Sequence, residues 1–193
     1  MSVSGSSLFP VPPSLIEWTN FNGQKLSFLI MNSPKDENID FYVNSCKKYN
    51  AKRMVRASDK TYSEGHFIDE GIGVNSLEFD EISGQPPTDI VDDWLKIVSS
   101  TFGIRKRSFV SLRKKKIKDV PSIGPTIAIH CVTGLGRAPM LVAIALIENG
   151  MDMFDAVQLI REKRYGAISD KQIVLLNQYR CHRMKRCSSC SIM

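Results

Sequence analysis

Residues 126–150 read "TIAIHCVTGLGRAPMLVAIALIENG". The first five residues are a short buried strand, and the run from Met140 is an apolar helix with Gly150 as a natural stop. Between them, "HCVTGLGRAP" holds a histidine, a thiol, two glycines and an arginine within ten positions. A helix N-terminus presents unpaired N–H groups and the positive end of a dipole, which together attract anions. Gly134 and Gly136 let the backbone turn so that successive N–H groups of Val132, Thr133, Gly134, Leu135 and Gly136 converge on one point. Arg137 adds a planar fork matched to two phosphate oxygens. Pro139 falls in the first helical turn, where a missing N–H costs little. The same field favours a thiolate at Cys131. The loop is therefore expected to hold a tetrahedral dianion against a sulfur nucleophile, with Cys131 attacking phosphorus and His130 orienting the loop through hydrogen bonds.

A departing alkoxide or phenoxide needs a proton, so a carboxylic acid is expected on a neighbouring loop. "LEFDE", residues 77–81, offers Glu78, Asp80 and Glu81 directly after a strand. The acids of "DIVDDW" (Asp89, Asp92, Asp93) have the spacing of a solvated helix face. This chemistry calls for no cofactor and no metal.

Outward from this stretch, "EWTNFNGQKLSFLIM" alternates around Asn22-Gly23 and predicts a two-residue hairpin. "ENIDFYVNSCKKY" has helical spacing, "AKRMVRAS" reads as a strand, and "GIGVNSLEFDE" as a strand running into a loop. "TDIVDDWLKIVSSTF" predicts an amphipathic helix with Thr88 as N-cap. "DMFDAVQLIREKR" and "SDKQIVLLNQYRCHRM" predict two more helices, each opened by an acidic or hydroxyl residue. Strands alternating with helices give an α/β layered domain with ligands at the carboxyl ends of the strands.

The chain has 193 residues, 42% of them hydrophobic, which suits one globular domain. No run of about 18 apolar residues suggests a membrane span. "MSVSGSSLFPVPPS" lacks the basic and apolar regions of a signal peptide, so residues 1–14 are expected to be a flexible lead and the five cysteines reduced thiols. The net charge of +6 is unevenly distributed. Arg105 to Lys118 holds eight Lys/Arg and no acid, and Lys171 to the end holds five and no acid, leaving 13 basic against 20 acidic residues elsewhere. A mildly acidic body with two basic segments suggests an anionic surface as partner, either lipid headgroups or nucleic acid. Nucleic acid is the weaker choice, because the insertion at 104–125 has few aromatics beyond Phe109 and no known module pattern. The end "CSIM" fits a prenylation signal on Cys190, with Cys187 a site for a second lipid and Arg180, Arg183, Lys185 and Arg186 just upstream. One lipid binds only marginally, so a basic patch is the needed second contribution.

These segments together resemble the phosphatases of regenerating liver, prenylated dual-specificity-type protein tyrosine phosphatases. The resemblance runs from about Glu17 to Arg186 and includes the tail. It is carried by "FLI", "VR" at 55–56, "IVDDWL", "HCVTGLGRAPMLVAIALIENGM", "DAVQLIREKRYGAISDKQ" and the last four residues. It implies that family's fold over 15–180, a central and mostly parallel sheet flanked by helices, followed by a polybasic prenylated tail at 181–193. It implies Cys131 as nucleophile and Arg137 as phosphate clamp. Ala138 replaces the usual Ser or Thr, which implies slow turnover and a persistent phosphocysteine. The family's acid loop ends in two Asp residues, so the general-acid role falls on Glu81, with Asp80 the alternative. Ser58 stands where the family's disulfide-forming cysteine does, and the insertion at 104–125 has no counterpart there.

The implied substrates are phosphoproteins or phosphoinositides. The implied location is the cytoplasmic face of plasma and endosomal membranes, or cytosol and nucleus without the prenyl group. A second function follows from the same resemblance: a membrane-anchored binding module whose cleft docks a CBS-domain magnesium-transport mediator. A homo-oligomer is a further expectation.

Overall fold

The structure is a computed structural model that describes residues 11–80, 85–104 and 124–181. Five strands form one sheet: β1 (Ser14–Thr19), β2 (Lys25–Met31), β3 (Ala51–Arg56), β4 (Gly73–Ser76) and β5 (Thr126–His130). Their order is β1-β2-β5-β3-β4, with β1 antiparallel to β2 and every other pairing parallel. The helices are α1 (Ile39–Lys48), α2 (Gly65–Ile68), α3 (Thr88–Phe102), α4 (Arg137–Glu148), α5 (Met153–Lys163) and α6 (Asp170–Gln178).

Period-two alternation divides the core between the two faces of the sheet. Phe28, Ile30, Val55, Ile127 and Ile129 point to the face covered by α3, α4, α5 and α6. Leu29, Met31, Met54 and Ala128 point to the other, where α1 contributes Ile39, Tyr42, Val43 and Cys46. A parallel strand covered on both sides must be apolar throughout, and all five residues of β5 are buried. α4 lies against the sheet with all but one of its residues buried, which is why it reads as a continuous apolar run. Trp94 of α3 donates its indole N–H to the carbonyl of Leu141 at 2.7 Å, locking the two helices together.

The hairpin is longer than the Asn-Gly signal predicts. The Asn20 amide donates to the Gln24 carbonyl at 2.9 Å, so three residues, Phe21 to Gly23, form the loop. The Asn20 side chain accepts from the Asn22 and Gln24 amides, and Gly23 takes the left-handed position at φ +75°. Thr88 is the first residue of α3 and its N-cap is Pro87, which makes no side-chain cap. α4 ends as expected: the Gly150 amide donates to Ile147 and that of Met151 to Leu146, with Gly150 at φ +104°. Asp152 caps α5, and Ser169 forms a reciprocal capping box with Gln172 on α6. α6 stops at Gln178, short of the helix the sequence suggests.

The flexible-lead reading meets the structure at its edge, since Ser14 already belongs to β1. Residues 1–10, most of the insertion (105–123), and the tail beyond Cys181, with Cys187 and Cys190, lie outside the described residues.

Candidate active site

The carboxyl ends of β2, β3 and β5 meet at Met31, Arg56 and His130. The chain leaves β5 at Cys131, which is 1% exposed, and winds through residues 132–136 into α4. Five successive carbonyls in this loop are bound by its surroundings. Val132 accepts from the Ser33 amide at 3.1 Å, Leu135 from the Ile168 amide at 2.8 Å, and Gly136 from Met140 at 3.0 Å. Thr133 and Gly134 both accept from Arg164, through Nη2 at 3.0 Å and Nε at 2.7 Å.

With the carbonyls held outward, the peptide planes turn their N–H groups to the inside. The amides of Val132, Thr133, Gly134 and Gly136 have no protein acceptor among the described residues. α4 starts here with no acidic residue in its first turn, which suits the positive end of its dipole to an anion. Converging free amides of this kind are what an anion cradle requires, while the Leu135 amide donates to Thr133 Oγ1 at 3.3 Å within the loop. Gly134 is indispensable to it. Its φ is +67°, and a Cβ would lie 2.5 Å from both the Met31 carbonyl oxygen and Arg164 Nη2.

Arg137 is buried at the start of α4, and its Nη1 donates to the Phe79 carbonyl at 3.0 Å. This contact ties the acid-bearing loop to the anion cradle. Along that loop Leu77 and Phe79 are buried while Glu78 and Asp80 are exposed. Glu78 is drawn aside: its Oε1 accepts from Arg56 at 3.1 and 2.9 Å, beside a second ion pair from Arg56 to Glu64 at 2.7 Å. Of the sequence candidates, Asp80 remains next to the Arg137 contact, and Glu81 lies outside the described residues. Asp89, Asp92 and Asp93 form an exposed face of α3 as expected.

His130 is fully buried, and its Nε2 lies 2.8 Å from the Tyr62 hydroxyl, while Nδ1 lies 3.4 Å from the Cys131 carbonyl oxygen. Burial lowers its pKa to about 4, with Arg56 and Arg137 acting in the same direction, so the ring is neutral near pH 7. It lies behind the loop, with Nδ1 facing the Cys131 carbonyl. Burial pushes the thiol of Cys46 up to about 12, which marks an inert core cysteine. Ser58, two residues beyond β3, is buried, and its hydroxyl has no partner among the described residues.

Three supports of the site escape sequence reasoning. Arg164 follows α5 in a basic run that reads as a solvated helix end, yet its guanidinium is buried beneath the loop. It also donates to the side chain of Asn32 and to Ser14 Oγ at 3.3 Å. Burial lowers its pKa, and the charge of Cys131 opposes that shift. Tyr62 sits in a stretch with no periodicity. Ile168, a β-branched residue, is held at φ +59° and fully buried, with its amide on Leu135.

The chain matches no protein-family model. It is 43% identical over 187 residues to a Dictyostelium discoideum protein tyrosine phosphatase type IVA A, covering 97% of each chain. It is 41% identical over 157 residues to protein tyrosine phosphatase type IVA 2 of Mus musculus, covering 81% of this chain and 83% of that one. Among solved structures, a protein tyrosine phosphatase from Leishmania major superposes with a TM-score of 0.72 at 33% identity, covering 88% and 99%. PTPMT1 superposes at 0.62 and 14% identity, covering 84% and 94%, which shows the shared fold. With this identity over most of its length and a shared fold, the chain belongs to the protein tyrosine phosphatase type IVA family of cysteine-based phosphomonoesterases.

Proposed function

We propose that the protein hydrolyses phosphomonoesters of phosphoproteins or phosphoinositides at a membrane surface, slowly, through a phosphocysteine on Cys131. The observation that carries this reading is the loop whose carbonyls at 132–136 are bound by donors outside it, leaving the amides of Val132, Thr133, Gly134 and Gly136 for a phosphate dianion. The Cys131 thiolate attacks phosphorus while the ester P–O bond breaks. The amides of residues 132–137 and the Arg137 guanidinium hold the equatorial oxygens. Glu81, with Asp80 as alternative, gives its proton to the leaving oxygen and then takes one from the water that attacks the phosphocysteine. That second step breaks the S–P bond and returns the thiolate.

Ala138, buried behind Arg137, offers no hydroxyl to the departing thiolate, so the intermediate accumulates. The same feature favours a second reading, in which the cleft mainly docks a partner such as a CBS-domain magnesium-transport mediator and phosphocysteine blocks that docking. Among solved neighbours, PTPMT1 is known in complex with PI(5)P, which keeps phosphoinositides among the candidate substrates. Attachment to the membrane combines a farnesyl group on Cys190 with Arg180, Arg183, Lys185 and Arg186, each cation adding about 1 kcal/mol near an anionic leaflet.

The test is Ala138→Ser in a rapid-quench assay with an aryl phosphate. Steady-state turnover should rise and trapped phosphocysteine should fall. An unchanged ratio of burst to steady state contradicts slow breakdown of the intermediate. For attachment, Cys190→Ser should release the protein from membranes on fractionation; full retention would mean another anchor.

A further inference from the structure

We infer that the end of the domain opposite the phosphate loop is a docking face for an anionic lipid bilayer, with Phe21 and Phe154 as the side chains that enter it. This rests on the reading above that the protein works at a membrane surface, and adds the face and the orientation. The parallel strands define the two ends. β2, β3 and β5 all run toward the cradle, so the hairpin tip that precedes β2 lies at the far end. α4 starts at the cradle and ends at Glu148; a Cβ on Gly150, just beyond, would lie 3.6 Å from the Phe21 ring. α5 runs back, since Arg164 at its C-cap lies under the loop, and this places its first turn, with Phe154, at the far end too.

Phe21 is 91% exposed and Phe154 65%. The Phe21 ring stands at 89° to that of Trp18, with centroids 6.4 Å apart, and its exposure shows that it projects from the hairpin. Two large apolar side chains this exposed at one end of a domain call for a partner.

Charge selects the partner. The Gln24 side chain donates to the Phe102 carbonyl at the end of α3, and Asn50 Nδ2 donates to the Gly124 carbonyl at 3.2 Å just before β5. The segment with eight cations and no acid between Arg105 and Lys118 is thus joined to the fold at Ile104 and Gly124, both at this end. The chain leaves α6 at Tyr179, whose hydroxyl donates to Glu148 in the last turn of α4 at 2.7 Å, and Arg183, Lys185 and Arg186 follow in sequence. Among the acids nearby, Glu17 pairs with Lys25 at 2.7 Å, Asp152 caps α5, and Asp155 stands exposed beside Phe154. Apolar tips at the end from which the cationic segments leave the fold suit anionic headgroups, which attract cations while the rings enter the acyl boundary.

The orientation has a consequence for substrate. α4 spans roughly 18 Å along its axis at 1.5 Å per residue, and it separates the cradle from this face. The cradle then opens away from the bilayer, toward phosphoproteins on the aqueous side and not toward headgroups of the bound leaflet.

The test uses the full chain without lipid modification, sedimented with phosphatidylcholine vesicles that contain or lack phosphatidylserine. Phe21→Ser and Phe154→Ser, both at exposed positions, should each weaken partition onto the phosphatidylserine vesicles about tenfold and leave aryl-phosphate hydrolysis in solution unchanged. Brominated phosphatidylcholine in those vesicles should quench the Trp18 fluorescence, identified by comparison with Trp18→Phe, since Trp94 is buried. If the wild type sediments, Trp18 stays unquenched and the double variant sediments equally, the docking face is wrong although membrane binding stands. If the wild type does not bind phosphatidylserine vesicles, the membrane reading itself fails. Loss of duplex DNA binding in the double variant, with vesicle binding intact, overturns the proposal in favour of nucleic acid. A phosphoinositide placed in the same vesicles and hydrolysed faster than a soluble phosphopeptide overturns the orientation.

Discussion

Arg164 Nε donates to the carbonyl oxygen of Gly134 at 2.7 Å, from beneath the phosphate loop, and so joins the end of α5 to the middle of the anion cradle. The same guanidinium also reaches Thr133. Without it, two loop carbonyls, that of Gly134 buried, lose their donor and their peptide planes are free to turn. Arg164→Lys keeps the charge but not the fork, and is expected to cost about 2–4 kcal/mol of stability. Competitive inhibition by inorganic phosphate should weaken at least about tenfold in that variant. Thermal unfolding and inhibition assays check both; a variant that loses stability yet binds phosphate normally would confine Arg164 to a packing role.

Gly134→Ala is expected to be more damaging to the cradle than its size suggests. The added methyl meets the backbone oxygen of Met31 at 2.5 Å in a conformation that L side chains rarely adopt. Hydrolysis of an aryl phosphate should fall by about 10²-fold or more as the amides lose convergence. Near-normal activity would mean that the loop tolerates another path.

Stability should depend on His130 in a defined pH window. Its pKa is lowered from the ordinary 6.5 to about 4 by burial, so the unfolded chain takes up a proton at higher pH than the folded one. The folded state therefore bears no penalty above about pH 6.5, and loses stability as pH falls from there toward 4, by about 3 kcal/mol in all. Urea unfolding across that range should show the loss in the wild type and a shallower slope in His130→Asn. Equal slopes would contradict a buried neutral imidazole.

The strand–loop–helix unit at the centre was readable because every level agrees there: an apolar strand, glycines at the turn, a proline in the first helical turn and a glycine stop. β5 starts and ends where the residues predict, and Asp152 and Ser169 cap the helices they precede. α2 went unread because a four-residue turn has no period. The hairpin was read one residue short because the Asn20 side chain, and not an Asn-Gly pair alone, organises it. In the site, Cys131 and Arg137 declare themselves by spacing, but the supports do not. Arg164 acts on a residue 30 positions away and Tyr62 on one 68 away, and no local pattern encodes such contacts. By residue type alone Glu78 and Asp80 are equivalent acids of one loop, and the ion pair with Arg56 separates them.

The general acid can be identified by leaving-group dependence. Glu81→Gln or Asp80→Asn, whichever removes the proton donor, should lose about 10²-fold on a poor leaving group and far less on a good one. Glu78→Gln should lower thermal stability through Arg56 without that dependence. If all three variants respond alike to leaving group, the loop supplies no acid and the docking reading of the cleft gains.

The most direct measurement is mass spectrometry of the protein quenched during turnover of an aryl phosphate, comparing wild type with Cys131→Ser. The wild type should carry one phosphoryl group on the peptide that contains Cys131, and the variant should carry none there and hydrolyse no substrate. Undiminished hydrolysis by Cys131→Ser, or a phosphoryl group found only elsewhere, would contradict the mechanism.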